Sequence, residues 1–225
     1  AFGEFSGTLW TMLSKAHNSV QRIPAQRFNI GAVAQAASEL LYVQHGHFVA
    51  GAELFEHRQF GMSPVEVRAT DPSHRMLLEA VFSACMRAGQ SKSSILGTAT
   101  GMFLGIANVS DWSSLQRDIG DKSGVFSAHG SDGGAAAGRV SYLFGLKGPC
   151  FSVNTACSSS LVALHAASHG IHQSDCPGAF VTAASLVLAP QNSTAYARAG
   201  MLSIDGRCKT WDVRANGYVR GEGVG

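Results

Sequence analysis

The chain has 225 residues, of which 45% are hydrophobic and 14% are charged, so it can bury a sizeable core as one large or two small globular units. Its formal net charge of +2 is too small to indicate a nucleic-acid or membrane-surface partner, because those surfaces need clustered Lys and Arg. No apolar run approaches the roughly 20 residues that a membrane span requires.

The cysteines argue against structural disulfides and against zinc. They are five in number, widely spaced, and include no C-x-x-C pair. This usage predicts a reducing compartment. The start, Ala-Phe-Gly-Glu-Phe, has neither an initiator Met nor a signal-peptide pattern, so it carries no information on targeting.

The first third of the chain contains one clearly patterned helix. Before it we predict only a short helix around Leu9–Ala16 and a Gly- and His-containing loop over residues 42–60. Asp71-Pro72 then opens a helix, with Asp as the N-cap and Pro at the first helical position. An apolar stripe from Met76 to Ala84 continues it, and Gly89 is expected to end it.

Three continuous apolar runs have the composition of buried strands: Thr100–Ala107, Phe151–Thr155 and Ala179–Leu188. Long helical stretches separate them, which predicts a mixed or parallel sheet covered on both faces, that is, an α/β layered domain. The final run, residues 217–225, is again strand-like. Because a domain boundary would lie in a polar linker, we expect the chain to be truncated.

Cys157 is the strongest candidate for a catalytic residue. It follows a predicted strand and precedes the helical run that begins near Leu161, so the pattern is strand, tight turn, helix. The first N–H groups of a helix lack intrahelical partners and form the positive end of its macrodipole, so they favour a negative charge and can bind an oxyanion. Small neighbours would let an acyl chain reach the sulfur. The alternative is a buried, inert cysteine, the usual fate of a free thiol.

Four segments carry a specific resemblance. Asn154–His165 (N-T-A-C-S-S-S-L-V-A-L-H) closely resembles the active-site signature of the β-ketoacyl synthase domains of modular, type I polyketide and fatty acid synthases. Asp71–Arg75 resembles the D-P-x-x-R helix start of that family, and Gly138–Pro149 resembles its lead-in to the nucleophile. Met201–Gly225 resembles its C-R-x-x-D-x-x-A-x-G-Y-x-R-G-E-G block. All four occur in the order of the family.

The resemblance implies a thiolase-like α-β-α-β-α fold of two similar halves. Residues 1–225 would be a partial N-terminal domain, truncated at both ends, that covers most of the first half. Cys157 would accept an acyl chain from the phosphopantetheine thiol of an acyl carrier protein, with its own N–H as one oxyanion donor. A malonyl-type carbanion would then attack the thioester and give a β-ketoacyl product. No bound cofactor or metal is implied.

The rest of the catalytic set would lie outside the chain, because the two decarboxylation histidines, the lysine and the second oxyanion donor of the family belong to the second half. The resemblance also implies a homodimer that pairs through the strand near Phe151–Thr155, with Phe126–Gly130 lending a wall to the partner's acyl pocket. Asn154 departs from the pattern, since many polyketide-type members carry Asp there. Asn keeps the shape of the side chain and removes the charge.

Other polar residues have a structural interpretation beside a functional one. Asp71 and Arg75 are interpreted as a helix cap and a loop tie rather than as catalytic groups. His165, His169 and His172 share a helix face, but no carboxylate or Cys at a suitable spacing completes a metal site, and the loop histidines His45 and His47 are interpreted likewise. The basic set could steer an acidic carrier protein or form a solvated, ion-paired face; its members are Arg207, Lys209, Arg214 and Arg220.

Three alternatives to condensation remain at this point. The first is a thiolase-like or transacylating module that uses Cys157 only to accept acyl groups. The second is a non-catalytic, dimer-forming fragment, because half of a five-layer fold exposes a large apolar face and is expected to be inactive alone. The third is a Cys protease, which fits poorly because only the helical histidines follow Cys157 closely.

Overall fold

The computed structural model describes residues 5–29, 43–107, 110–118 and 126–225. These residues fall into two compact units. One unit combines residues 1–50 with 186–222, and the other combines 51–185 with 223–225. The second unit contains Cys157 and the larger sheet.

Short helices and strands alternate along the described residues. The helices are α1 (Phe5–Ser14), α2 (Pro64–Ala69), α3 (Pro72–Arg87), α4 (Lys92–Ile95), α5 (Ser110–Asp118), α6 (Ser127–Gly130), α7 (Gly133–Phe144), α8 (Ser159–His172) and α9 (Pro190–Arg198). The strands are β1 (Gln21–Arg22), β2 (His45–Gly46), β3 (Gly101–Ile106), β4 (Cys150–Val153), β5 (Ala179–Ser185) and β6 (Gly223–Val224). Single 3-10 turns cover His57–Phe60 and Ala156–Ser158. Among the described residues, no helix is both long and apolar enough to cross a membrane.

The larger sheet has the strand order β4-β3-β5-β6. Strand β3 runs parallel to both β4 and β5, whereas β6 is antiparallel to β5. Parallel strands need long connections: helices α5 to α7 lie between β3 and its neighbour β4, and α8 lies between β4 and β5, which flank β3 on its two sides. The predicted mixed α/β sheet is therefore confirmed, and its three apolar strands begin and end within three residues of the predicted positions.

Both faces of this sheet are covered, as the continuous apolar strands predicted. Every residue of β3 is buried, and alternate side chains point to opposite faces. Met102 and Leu104 belong to a core with α3 and α7 that includes Leu77 and Phe144. Phe103 packs instead with Ala163, Ala167 and Cys176 on the α8 side. Each large apolar side chain buried in this way contributes about 1.5–3 kcal/mol.

Helix α3 begins as its sequence predicts. The Asp71 carboxylate accepts a hydrogen bond from the Ser73 N–H at 2.7 Å, and Pro72 occupies the first turn. The helix ends at Arg87, and Gly89 follows it in the left-handed region at φ +68°. Arg75 reaches the Glu53 carbonyl oxygen at 3.5 Å, a long contact. The capping interpretation of this segment is confirmed.

The start of α3 buries two titratable groups. Burial raises the pKa of Asp71 to about 6, against the hydrogen bonds from Ser73 and the charge of Arg75. Burial, followed by the positive charge of Arg139, lowers the pKa of His74 to about 4.

Nearby, the Ala69 carbonyl that ends α2 accepts hydrogen bonds from the Trp112 indole at 3.0 Å and the Gln116 amide at 3.1 Å. These contacts dock α5 on the junction between α2 and α3.

In the other unit, the buried carboxylate of Glu222 gathers four donors. It accepts two hydrogen bonds from the Arg27 guanidinium, both at 2.9 Å, and one each from the backbone N–H groups of Val49 at 2.8 Å and Val187 at 3.0 Å. A buried carboxylate is tolerated when it is paired and hydrogen-bonded in this way. Glu222 thereby joins three distant segments of its unit.

The strand-like run at residues 217–225 is shorter than predicted. Only Gly223–Val224 forms a strand, paired with Ala184 and Ser185 of β5. The preceding residues make isolated bridges instead, from Tyr218 to Leu202 and from Gly221 to His47. They belong to the unit of Glu222, where side-chain contacts replace a regular ladder.

The raised pKa of Asp71 predicts a specific dependence of stability on pH. The folded state holds the proton more tightly than the unfolded chain, so this group's contribution is present below about pH 4 and is lost as the pH rises through 6. The full loss corresponds to about 3 kcal/mol. Asp71→Asn keeps a cap acceptor without the charge, so it should not lose this contribution. The unfolding free energy of the variant should therefore rise relative to that of wild type between pH 4 and 7.5.

Urea denaturation of the longest soluble protein that contains this chain measures that difference. His74 is present in both proteins, so its opposing contribution cancels when variant and wild type are compared at the same pH. Asp132→Asn, the same change at the exposed N-cap of α7, is the control. An Asp71→Asn difference that stays constant over this range would show that the buried carboxyl has no raised pKa.

Candidate active site

Cys157 lies in the short turn between β4 and α8. Strand β4 ends at Val153, the 3-10 turn covers Ala156–Ser158, and α8 starts at the next residue. The predicted sequence of strand, turn and helix is confirmed. The Cys157 side chain is exposed, which is opposite to the buried, inert alternative, whereas Cys85 and Cys176 are buried.

Gly105 of β3 sets how closely α8 approaches the sheet. A Cβ atom at this position would lie 2.6 Å from the carbonyl carbon of Ser159 and 2.7 Å from the backbone nitrogen of Ser160. Real Cβ atoms do not come so close to backbone, so only glycine fits. Gly105 is also the register partner of Val153, the last residue before the turn. One position of β3 therefore fixes both the strand end and the helix start around Cys157.

The backbone turns sharply at Ala156, just before α8 begins. Its φ of +54° is in the left-handed region, which costs a non-glycine residue on the order of 1–3 kcal/mol. Side chains hold the backbone there: the Ala156 N–H donates to Asn154 Oδ1 at 3.1 Å, and the Thr155 N–H donates to Ser159 Oγ at 2.9 Å. Ser159 Oγ in turn donates to the Ala156 carbonyl at 2.7 Å. Each hydrogen bond contributes about 1 kcal/mol, enough together to offset the strain.

Ser158 makes a separate contact. Its hydroxyl lies 2.9 Å from both the carbonyl oxygen and Oγ1 of Thr155 and donates towards them. It does not cap α8, because this helix has no side-chain cap at its N-cap position, Ser158. The two backbone hydrogen bonds that define this turn, from the Ser158 N–H to the Thr155 carbonyl and from the Ser159 N–H to the Ala156 carbonyl, leave the Cys157 N–H without a partner among the described residues. The turn thus presents a donor and the positive end of a 14-residue helix beside an exposed thiol.

An open apolar cavity of about 350 Å³ adjoins this helix start. Leu161 and Leu164 of α8 form one wall, and residues 181–183 of β5 form the other. Thr182 also contributes to the lining, and its hydroxyl is buried and has no hydrogen-bond partner among the described residues. The apolar walls make this side of α8 compatible with aliphatic groups.

The other polar candidates do not join Cys157 in a site. His165, His169 and His172 are exposed along α8, and the described residues contain no group of three or more His, Cys, Asp or Glu that could hold a metal ion. His47 Nδ1 lies 2.8 Å from the Ser19 hydroxyl. The geometry gives these histidines no catalytic partner role.

All four basic candidates have partners. Lys209 pairs with Asp205 and Arg214 with Asp212, each at 2.6 Å. Hydrogen bonds from Lys209 and Ser203 lower the pKa of the Asp205 carboxyl. The remaining two make neutral contacts: Arg207 with the Gly206 carbonyl, and the buried Arg220 with Ser193 and the Tyr196 ring. The ion-paired interpretation therefore describes this segment better than a free basic face.

Comparison with known proteins identifies the family. The model of "Beta-ketoacyl synthase, N-terminal domain" matches residues 3–225. The highly reducing polyketide synthase gloL of Glarea lozoyensis is 36% identical over 220 residues, covering 96% of this chain and 9% of the relative. Polyketide synthase GfsB of Streptomyces halstedii is 36% identical over 221 residues, covering 96% of this chain and 4% of the relative.

Solved structures agree with the sequence comparison. A ketosynthase from module 6 of the bacillaene synthase of Bacillus subtilis superposes with a TM-score of 0.83 at 30% identity, covering 96% of this chain and 36% of that one. An oxazolomycin ketosynthase domain of Streptomyces albus gives a TM-score of 0.86 at 30% identity, covering 97% and 38%.

The chain belongs to the β-ketoacyl synthase family and has the thiolase-like α/β fold of ketosynthase domains. The resemblance drawn from four sequence motifs is thereby confirmed. The chain spans 9% or less of the two synthases and under two fifths of the two solved ketosynthases.

Two residues of the site were not selected by sequence reasoning. Gly105 interrupts a buried apolar strand, which is a known signal of close backbone approach, but the pattern does not say what approaches. Ser159 is one of three consecutive serines after Cys157, and the sequence does not tell which hydroxyl faces the turn. The structure distinguishes them, because Ser159 alone of the three is buried.

The approach of α8 to β3 predicts that Gly105→Ala displaces the start of α8. The added methyl group overlaps the Ser159 and Ser160 backbone, so we expect a loss of about 1–3 kcal/mol in unfolding free energy and slower alkylation of Cys157. Gly138→Ala is the matched control, because a Cβ there, in α7, meets nothing within 4 Å and should be neutral or stabilising. Equal stability and equal labelling in the two variants would contradict the contact.

Proposed function

We propose that the chain provides the acyl-accepting part of an enzyme that performs decarboxylative Claisen condensation in polyketide or fatty acid biosynthesis, with Cys157 as the nucleophile. The observation that carries the proposal is an exposed thiol at the start of α8 beside an unpartnered backbone N–H, in a member of the β-ketoacyl synthase family. The two relatives described above are both polyketide synthases, which favours the polyketide pathway.

The first half-reaction transfers an acyl group to Cys157. The thiolate attacks the carbonyl carbon of an acyl thioester carried on the phosphopantetheine of an acyl carrier protein, and a C–S bond forms while the carbonyl π pair moves to oxygen. The Cys157 N–H is placed to donate to that oxyanion. When the pair returns, the bond to the pantetheine sulfur breaks, and the departing thiolate takes up the proton that Cys157 gave up.

The second half-reaction extends the chain. A malonyl-type thioester loses CO₂, and the electron pair of the broken C–C bond becomes an enolate. Its carbon attacks the Cys157 thioester, a C–C bond forms, and the Cys157 thiolate leaves to give a β-ketoacyl thioester on the carrier. The groups that promote decarboxylation are proposed to lie outside this chain, so the chain alone is expected to be inactive.

The partner proposed for this site is an acyl carrier protein, whose phosphopantetheine brings each substrate. No cofactor resident in this chain and no metal is needed by the two steps above. A transacylating module without extender chemistry would share the first half-reaction only. Release of CO₂ from a malonyl thioester by the acylated enzyme distinguishes the two.

A homodimer that pairs through β4 is proposed as the assembly. Strand β4 lies at the edge of the sheet of described strands, and its first two residues, Cys150 and Phe151, are exposed. Phe151 is 42% exposed while its ring packs edge-on against Phe103 of β3. An edge strand with exposed apolar side chains is a template for pairing with another strand. The proposed role of Phe126–Gly130, as a wall of the partner's acyl pocket, rests on the family resemblance.

Selective alkylation tests the nucleophile. Cys150, Cys157 and Cys208 are all exposed, so accessibility alone predicts similar labelling by iodoacetamide. The position of Cys157 at a helix start predicts that it reacts first, by about tenfold or more over the other two. Peptide mass spectrometry of the protein expressed from its full reading frame measures the order. Faster labelling of Cys208 or of the buried Cys85 would rule out Cys157 as the activated thiol.

Charge placed on the β4 edge tests the dimer. Phe151→Lys should weaken self-association by at least tenfold, because a lysine at the centre of a strand pair is poorly accommodated. Met86→Lys, at an exposed apolar position of α3, is the control that should leave the mass unchanged. Analytical ultracentrifugation provides the measurement. A Phe151→Lys protein that dimerises like wild type, or a fully active wild-type monomer, would contradict the assignment.

A further inference from the structure

The peptide that joins Ala156 to Cys157 contains both the Ala156 carbonyl and the Cys157 N–H. Among the described residues no peptide is cis, so these two groups point in opposite directions in one plane. Whatever fixes the direction of the carbonyl therefore fixes the direction of the N–H. In the proposed reaction this N–H is the donor that meets the oxyanion.

The Ser159 hydroxyl holds that carbonyl. Its Oγ accepts the Thr155 N–H at 2.9 Å and lies 2.7 Å from the Ala156 oxygen, so its proton is directed at the carbonyl. Ser159 is buried, which removes water as a competitor for these bonds. The hydroxyl of Ser158 binds Thr155 instead and does not reach the peptide that carries the Cys157 N–H.

The strained conformation of Ala156 makes the hydrogen bond from the Ser159 hydroxyl necessary. A left-handed alanine is strained, and rotation of an adjoining peptide plane would relieve the strain. Asn154 fixes the plane before Ala156 through its N–H, and Ser159 fixes the plane after it through its carbonyl. Only the second plane carries the Cys157 N–H. The same carbonyl also accepts the Ser159 backbone N–H, so loss of the hydroxyl removes one of its two hydrogen bonds and loosens the donor while leaving the thiol in place.

We propose that Ser159 is a positioning residue for the oxyanion donor: its hydroxyl orients the Ala156–Cys157 peptide and, by donating to the carbonyl, polarises the Cys157 N–H. Hydrogen bonds in such chains strengthen one another, so a donor bonded to the carbonyl makes the N–H of the same peptide a better donor. Ser159 touches neither substrate nor sulfur in this role. The inference rests on the proposed function and specifies how its first step is stabilised.

Two reactions of the same thiol test the inference, because only one of them forms an oxyanion. Acyl transfer from an acyl-pantetheine thioester passes through a tetrahedral oxyanion, whereas displacement of iodide from iodoacetamide does not. In Ser159→Ala, single-turnover acylation of Cys157 should fall by about 10- to 100-fold, which is less than the roughly 100- to 1000-fold seen when an oxyanion donor is removed, because here the donor is loosened and not lost. The rate of alkylation should stay within about twofold of wild type. Both rates are measured on the protein expressed from its full reading frame.

Two further variants separate positioning from stability. Ser159→Thr keeps a hydroxyl and should restore acylation to within about fivefold of wild type, since the same hydrogen bonds remain available. Ser63→Ala removes a serine hydroxyl at another helix start, the N-cap of α2, where it accepts the Glu66 N–H at 3.2 Å. It should lower stability by about 1 kcal/mol and leave both rates at Cys157 unchanged.

The possible results have distinct meanings. Unchanged acylation in Ser159→Ala, or an equal fall of both rates, overturns the inference while leaving the nucleophile intact. Absence of an acyl adduct on wild-type Cys157 overturns the proposed function and the inference together. If Ser159→Ala does not fold, Ser159→Gly removes the same hydroxyl and should likewise lower acylation more than alkylation; equal losses there overturn the inference.

Discussion

The close approach of α8 to β3 at Gly105 is the contact on which the geometry of Cys157 depends. It brings the Ser159 backbone to within 2.8 Å of where a side chain would begin, and it does so beside Val153, the end of the neighbouring strand. The chain must therefore reverse between Val153 and Ser159 in a very short turn. Ala156 accepts a left-handed conformation as a result, and the side chains of Asn154 and Ser159 fix the peptides around it. The Cys157 thiol is therefore exposed at a turn whose backbone is hydrogen-bonded on both sides, which suits the acyl-accepting role proposed for it.

In both units a polar side chain accepts hydrogen bonds from backbone N–H groups where regular secondary structure stops. Near Cys157, the Ser159 hydroxyl satisfies a backbone N–H where regular structure stops, and in the other unit the Glu222 carboxylate does so for Val49 and Val187. Buried backbone groups outside helices and sheets need such partners. Around Glu222 these bonds join distant segments of the chain, and Arg27 neutralises the buried charge. Around Cys157 the outcome is an aligned donor, because one backbone N–H is left without a partner and the thiol stands beside it.

Sequence reasoning succeeded where the controlling interactions are local. The cap and first turn of α3, the apolar strands, and the strand-turn-helix around Cys157 follow from neighbouring residues and were predicted correctly. It failed where partners are far apart along the chain. Residues 217–222 have a strand-like composition, but Glu222 binds Arg27, 195 positions away, and this segment forms bridges rather than a ladder. The role of Gly105 was likewise invisible, because the atoms that approach it belong to α8, more than 50 residues later.

The most direct test of the account is the intact mass and peptide map of the full-length protein after incubation with an acyl-pantetheine thioester and then with a malonyl thioester. The account predicts that the first reagent adds the acyl mass to the peptide that contains Cys157. It predicts that the second reagent removes the acyl mass from this peptide, and that CO₂ and a β-ketoacyl thioester are formed at the same time in equal amounts. An acyl group found on another residue, or a Cys157 adduct that the malonyl thioester does not discharge, would contradict it.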